Sequence, residues 1–350
     1  MAMSLSTPFR PTTPPPRKSA TGATADVYAQ LASDFGMERP ATFVALSSEP
    51  ELLTATWALM RESLIAGEGD RTGKELAALG VSLANRCPFC VDAHTMLLHA
   101  TGDHSLAEAI ARGETPSDEV HARVLAWGRA SRTPGAPELT PYPFAAAHAP
   151  AYIGTMLTFH FINRIASALL TENLLPGNAQ RFRAVRSLGG RSLARTVRRR
   201  PVPGAGLTLL DAPGPGPDWA RGTTVGPAYA ALRDAAAAGG GLLDEADRAL
   251  VRETLRGWDG AHPSLALDGL PDRSRPGARL VLLSALAPYR ITDEDVTAWR
   301  EPGHSDRHLV RLVAYGAFAA VDRVEQALPV RLEAVAVTAM RRNDGMLSDH

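Results

Sequence analysis

The sequence predicts an all-α protein, and three observations carry that reading. Apolar side chains recur at near-helical spacing, as at Leu52, Leu53, Trp57, Met60 and Leu64, and again at Leu76, Leu79 and Leu83. Glycine and proline fall between these stretches, with Gly67 and Gly69 before one and Gly102 after the next. The pattern then returns beyond a Pro/Gly-rich break, with apolar runs at Leu280-Val281-Leu282-Leu283 and from Leu309 to Val321.

In chain order, residues 1–21 are rich in Pro, Ser and Thr and are expected to be a disordered tail. Residues 22–190 form the first helical unit, in which Val91, Leu97 and Leu98 continue an apolar stripe and Gly102 closes its helix. Five prolines between Pro134 and Pro150 make that segment a loop or a set of short turns. Residues 191–219 read as an Arg/Pro/Gly-rich connector, residues 220–340 as a second helical unit, and residues 341–350 as a tail. Ile162-Asn163-Arg164-Ile165-Ala166-Ser167-Ala168-Leu169 and Val321-Asp322-Arg323-Val324-Glu325-Gln326-Ala327-Leu328 share a pattern. The second unit therefore reads as a diverged repeat of the first, without its cysteines.

Composition narrows the functional classes. The 37 basic and 37 acidic residues cancel, so no global field recruits nucleic acid or a charged membrane surface. No apolar stretch reaches the ~20 residues that span a bilayer, and the first 21 residues lack the apolar core of a secretory signal. The expectation is a cytoplasmic protein with no nucleic-acid or membrane partner. Eight arginines lie between Gln180 and Arg200. A connector, or a helix pairing with acids elsewhere, is the favoured reading of that segment over a nucleic-acid contact.

Two cysteines stand in the whole chain, three residues apart in Cys87-Pro88-Phe89-Cys90, and His94 follows four residues later. On a helix these steps gather the three side chains on one face. Asn85 is expected to cap that helix and Pro88 to occupy its first turn. The cysteines would then sit at a helix N-terminus, where the aligned amides favour a thiolate. His94 can take a proton from Cys90, and Glu75 on the preceding helix can orient the imidazole or relay its proton. Such a pair is also expected to form an intramolecular disulfide on oxidation. Zinc binding by Cys87, Cys90, His94 and Glu75 is the weaker alternative, because no second ligand pair follows closely. Gly67 to Lys74 has the wrong spacing for a phosphate loop, with Glu75 where a serine or threonine would stand. His304 and His308 are spaced i,i+4 but read as surface residues.

Glu75, Val81-Ser82, Asn85, Cys87, Cys90 and His94 stand at the spacing of the AhpD-like alkylhydroperoxidases, within the wider carboxymuconolactone decarboxylase family. Upstream, Val27-Tyr28 through Phe35-Gly36, Pro40, Phe43, Leu46 and Pro50-Glu51-Leu52-Leu53 resemble that family's helical lead-in. Downstream, Phe161-Ile162-Asn163-Arg164-Ile165 resembles its closing Asn-Arg helix. The resemblance implies two tandem AhpD-like helical repeats, the second degenerate, and a thiol-dependent peroxidase acting on hydrogen peroxide or organic hydroperoxides. It implies that Cys90 attacks the peroxide and Cys87 resolves. An external dithiol, of lipoyl type in relatives, would restore the pair without any bound cofactor or metal, in a homo-oligomer. One position departs: Phe89 stands where founding members carry a second histidine. The alternatives are a lyase resembling the decarboxylases of the family, which generally lack the cysteine pair, and a non-catalytic redox-sensing or partner-binding protein.

Overall fold

The computed structural model describes residues 8–172, 175–301 and 303–329, and every regular element among them is helical. Seven α-helices lead to a long central one: α1 (Gly22–Gln30), α2 (Ala41–Leu46), α3 (Pro50–Met60), α4 (Arg71–Ala84), α5 (Pro88–Thr101), α6 (His104–Ala111) and α7 (Glu119–Ala130). The central α8 (Ala149–Leu169) is followed by α9 (Arg183–Val197), α10 (Val225–Ala237), α11 (Glu245–Arg256), α12 (Pro276–Leu286), α13 (Asp293–Arg300) and α14 (Asp306–Gln326). Local chemistry sets many of the starts. Asp70, Asp103, Asp118 and Asp244 each accept the N–H of the residue three places on, the usual N-cap arrangement. Thr292 and Ser305 complete capping boxes, and Pro50, Pro88 and Pro276 occupy first turns, where no N–H is needed.

Helix α4 runs through the middle of the first half, against α5, α7 and α8. Its crossing with α7 depends on two glycines. A Cβ on Gly80 would lie 2.4 Å from Leu125 O, and one on Gly128 would lie 2.3 Å from Ala77 O. Only hydrogen fits there, so the two backbones touch. Gly102 ends α5 at φ 108°, in the left-handed region that glycine tolerates.

The second half packs on the same core. Helices α10, α12 and α14 lie against α8, and α10 also covers α3. The two matched sequence patterns fall largely on α8 and α14, each 21 residues long, whose Phe161 and Phe318 rings are 6.3 Å apart.

Two expectations about organisation change. Residues 8–21, expected to be disordered, run across the fold as a strap. Arg10 N–H donates to Leu169 O and Thr171 N–H to Pro8 O, both at 2.8 Å, and Phe9 packs against the core. Thr13 N–H reaches Asp306 Oδ2 at 2.7 Å. Proline removes donors but leaves its neighbours' amides free to pair, so a Pro-rich composition did not prevent ordering. The connector expected from residue 191 begins later, because α9 continues through Val197 with Leu193 and Val197 buried. Arginine is a good helix former, and this segment pairs outward through Arg186 with Glu108, Arg199 with Asp34 and Arg200 with Glu68. Residues 1–7, 330–340 and the tail 341–350 lie outside the described residues.

Lys74 is buried inside this helical frame, its ammonium donating to Ser63 O at 3.1 Å and Gly67 O at 2.6 Å. Burial, then the Arg71 and Arg200 charges, pushes it down to about 7. Between that value and the unfolded one, near 10.5, the unfolded chain holds a proton that the folded chain does not. Stability contributed by this group should therefore rise with pH across that window, by up to about 1.4 kcal/mol per unit. Urea melts of wild type and Lys74→Met from pH 7 to 10 would check it, and parallel curves would refute it.

Candidate active site

Cys87 and Cys90 are joined by a disulfide, with Cα atoms 5.3 Å apart. Cys87 is the N-cap of α5, Pro88 its first residue and Cys90 lies in its first turn. Both sulfurs thus sit at the positive end of the helix. The cap itself differs from the expected one. Asn85 ends α4 as its C-cap, and Arg86 turns the chain with φ 54° before α5 starts. Asparagine favours both kinds of helix end, so composition could not separate them.

His94 lies one turn beyond Cys90 on α5, and its Nδ1 is 2.7 Å from Glu75 Oε2. Both groups are buried. Arg71, one turn before Glu75 on α4, donates from Nε to Glu75 Oε1 at 2.8 Å. Burial by itself would raise the Glu75 carboxyl, but the Arg71 charge and the His94 hydrogen bond outweigh it and hold it below the ordinary value. An ionised Glu75 accepts the Nδ1 proton, which leaves Nε2 as the basic nitrogen of the ring. The edge of the imidazole meets Phe159, 4.3 Å between centroids, which limits its rotation. All four predicted site residues come together in the α4–α5 unit. Arg71 was missed by the sequence reading, although its i,i+4 spacing to Glu75 was a usable signal.

A second buried network holds the cysteine turn in place. Asn85 Nδ2 donates to Asn163 Oδ1 at 3.1 Å, and Asn163 Nδ2 donates to Ser82 Oγ at 3.1 Å. His160 Nδ1 receives Asn85 Nδ2 and Arg164 Nη1, both at 3.2 Å. That nitrogen must therefore be the acceptor, and Nε2 carries the proton toward Ser131 Oγ, 2.8 Å away. Burial, then Arg164 and Arg132, pushes this imidazole well below its ordinary value, in keeping with a neutral ring.

Among the described residues, no carboxylate pairs with the buried guanidiniums of Arg132 and Arg164. They face the carbonyl end of α12 instead: Arg164 Nε donates to Ala285 O at 2.7 Å and Arg132 Nη2 to Leu286 O at 2.9 Å. The negative end of the helix dipole serves as their counter-charge. Arg132 also donates from Nη1 to Asn85 Oδ1 at 2.8 Å. The Asn163-Arg164 pair of α8 thus ties the cysteine turn to the second half.

Cys87, buried like Cys90, lines a crevice of about 10 Å³, room for a single water. Arg10 of the strap, Arg86, Cys87, Phe89 and Tyr289 line it. Tyr289 belongs to the second half and accepts from Arg86 Nη1 at 3.3 Å. Phe89, at the position of the missing second histidine, therefore faces the mouth. Neither Arg10 nor Tyr289 was legible as a site residue, since each reaches Cys87 from a distant part of the chain. His304 stacks on Trp299 with centroids 3.8 Å apart, and His308 joins the α14 capping box, so both have structural partners. Among the described residues, no helix is long and apolar enough to cross a membrane.

The sequence pattern of the Carboxymuconolactone decarboxylase family matches residues 50–128, which span α3 to α7 and include Glu75, both cysteines and His94. A Mycobacterium tuberculosis protein named alkyl hydroperoxide reductase is 37% identical over 324 residues, covering 88% of this chain and 91% of the relative. No solved structure matches. The alignment runs through both halves, and the all-α architecture agrees with it, so the chain belongs to the carboxymuconolactone decarboxylase family, in its AhpD-like branch.

Proposed function

We propose that the protein is a thiol-dependent peroxidase that reduces hydrogen peroxide or organic hydroperoxides through a Cys87/Cys90 dithiol–disulfide cycle. The observation that carries this reading is the hydrogen bond from His94 to a buried, ionised Glu75, on the α5 face shared with Cys90. In the reduced protein, His94 Nε2 takes the Cys90 proton, and the thiolate attacks the terminal oxygen of ROOH. The O–O bond breaks, ROH leaves with a proton, and Cys90 becomes a sulfenic acid. Cys87 then displaces hydroxide, which leaves as water, and the disulfide seen here forms. An external dithiol, with a lipoyl group as a fitting class, returns two electrons by exchange. Cys87 lines the crevice and Cys90 does not. Attack on Cys87 would release Cys90 as the leaving thiolate, beside its base.

The second half supplies Tyr289 and the α12 carbonyls, so its place against the first half supports the site without repeating the chemistry. We read it as a diverged repeat that stands where single-repeat relatives use a subunit contact. A lyase reaction of the decarboxylase type would not need the disulfide. The test is peroxide consumption by reduced protein with an excess of dithiol. One dithiol oxidised per peroxide consumed, over many turnovers, is expected, while a single equivalent followed by arrest would reduce the protein to a sensor.

A further inference from the structure

Two stretches set aside in the sequence meet in one place. The Gly67–Lys74 segment, misspaced for a phosphate loop, and the end of the arginine-rich segment line a common cavity of about 300 Å³. Arg71 and Lys74 enter from α4, and Arg198, Arg199 and Arg200 from the residues after α9. Asp70 is the one acidic side chain in the lining, and its carboxylate is already spent on capping Gly73 N–H at 2.6 Å. The helix end is thus closed, and the positive charge of the cavity comes from side chains.

Partners for these cations are incomplete. Arg199 pairs with Asp34 and Arg200 with Glu68. Arg198 makes its hydrogen bond to a carbonyl, Ala100 O, at 3.1 Å, and Lys74 is held by carbonyls alone. Neither has a carboxylate partner among the described residues. Arg71 meets Glu75 Oε1 with both Nε and Nη2 at 2.8 Å, so its charge is already engaged by that carboxylate. Burial is the main cause of the depression of Lys74, and the Arg71 and Arg200 charges add to it. Such a field favours a compact anion able to accept from several donors at once.

We propose that this cavity is a binding site for a phosphoryl oxyanion, either inorganic phosphate or the phosphate of a small monoester. Four arginines and one lysine line it, and the volume suits a small ligand. Its position gives the site a consequence. Arg71 belongs both to the cavity and to the Arg71–Glu75–His94 chain. An occupant therefore lies one side chain away from the carboxylate of the relay.

Isothermal titration with inorganic phosphate, with glucose 6-phosphate, and with chloride at matched ionic strength tests the proposal. Saturable one-to-one binding of the phosphates is expected, with tighter binding of one identifying the source. Arg198→Met should weaken it about tenfold or more, by loss of a charge-assisted contact, and Arg198→Met with Arg200→Met should abolish it. Both positions are exposed, so the fold should survive, as a circular dichroism melt would verify. Cys90→Ser should bind as wild type does, which keeps the site testable whether or not the peroxidase reading stands. Absence of saturable binding, an equal response to chloride, or binding untouched in the double variant would each overturn it.

Discussion

Cys90→Ser is expected to abolish peroxide turnover, whereas Cys87→Ser should stop after one equivalent with a sulfenic acid held on Cys90. The asymmetry follows from position. Both cysteines are buried at the start of α5, but Cys90 lies one turn from His94, and Cys87 is the one that reaches the crevice. A nucleophile needs its base close by, while a resolving thiol needs only to reach the sulfur already oxidised. Trapping with a sulfenate-specific reagent, followed by mass spectrometry, separates the two. Labelling on Cys87 in Cys90→Ser would reverse the roles.

Removing the imidazole should have the next largest effect. His94→Gln keeps a hydrogen-bonding side chain at the position but loses the imidazole, and single-turnover reaction with peroxide should slow by about 10²–10⁴-fold. Glu75→Gln should cost less if the carboxylate only orients the ring through Nδ1, and as much if it receives the proton. Arg71→Met adds a control on the cause of ionisation. Burial raises the Glu75 carboxyl and Arg71 is the leading group that lowers it. Without the guanidinium the carboxyl should rise, and the acidic limb of the rate–pH profile should move to higher pH. A profile that stays put in Arg71→Met, or an unchanged rate in a folded His94→Gln, would leave the α5 N-terminus as the source of thiol activation.

Much of the candidate site was legible because it is local. Cys87, Cys90 and His94 are separated by steps of three and four, and the helix that this spacing requires is the helix that forms. Glu75 stands on the adjacent helix, and a short turn leaves little freedom in how α4 and α5 pack. The turn itself was only half read: Pro88 takes the first-turn position expected of it, but Asn85 closes the preceding helix. Its side chain makes that choice through Asn163, His160 and Arg132, which come from 47 to 78 residues away.

The sequence by itself determined that the chain is helical, that it belongs among the AhpD-like proteins, and that a dithiol, an imidazole and a carboxylate share one unit. These properties rest on periodicity and on contacts within about twenty residues, which a chain writes directly into its order. Only the tertiary structure decided that a Pro-rich strap lies beside the crevice, that Tyr289 closes its far side, and that two buried arginines are balanced by the end of α12. It also brought Gly67–Lys74 and the arginine segment to one cavity. Each of these depends on which surfaces meet when a common core is buried, and that choice is made by packing across the whole chain, where no local spacing records it.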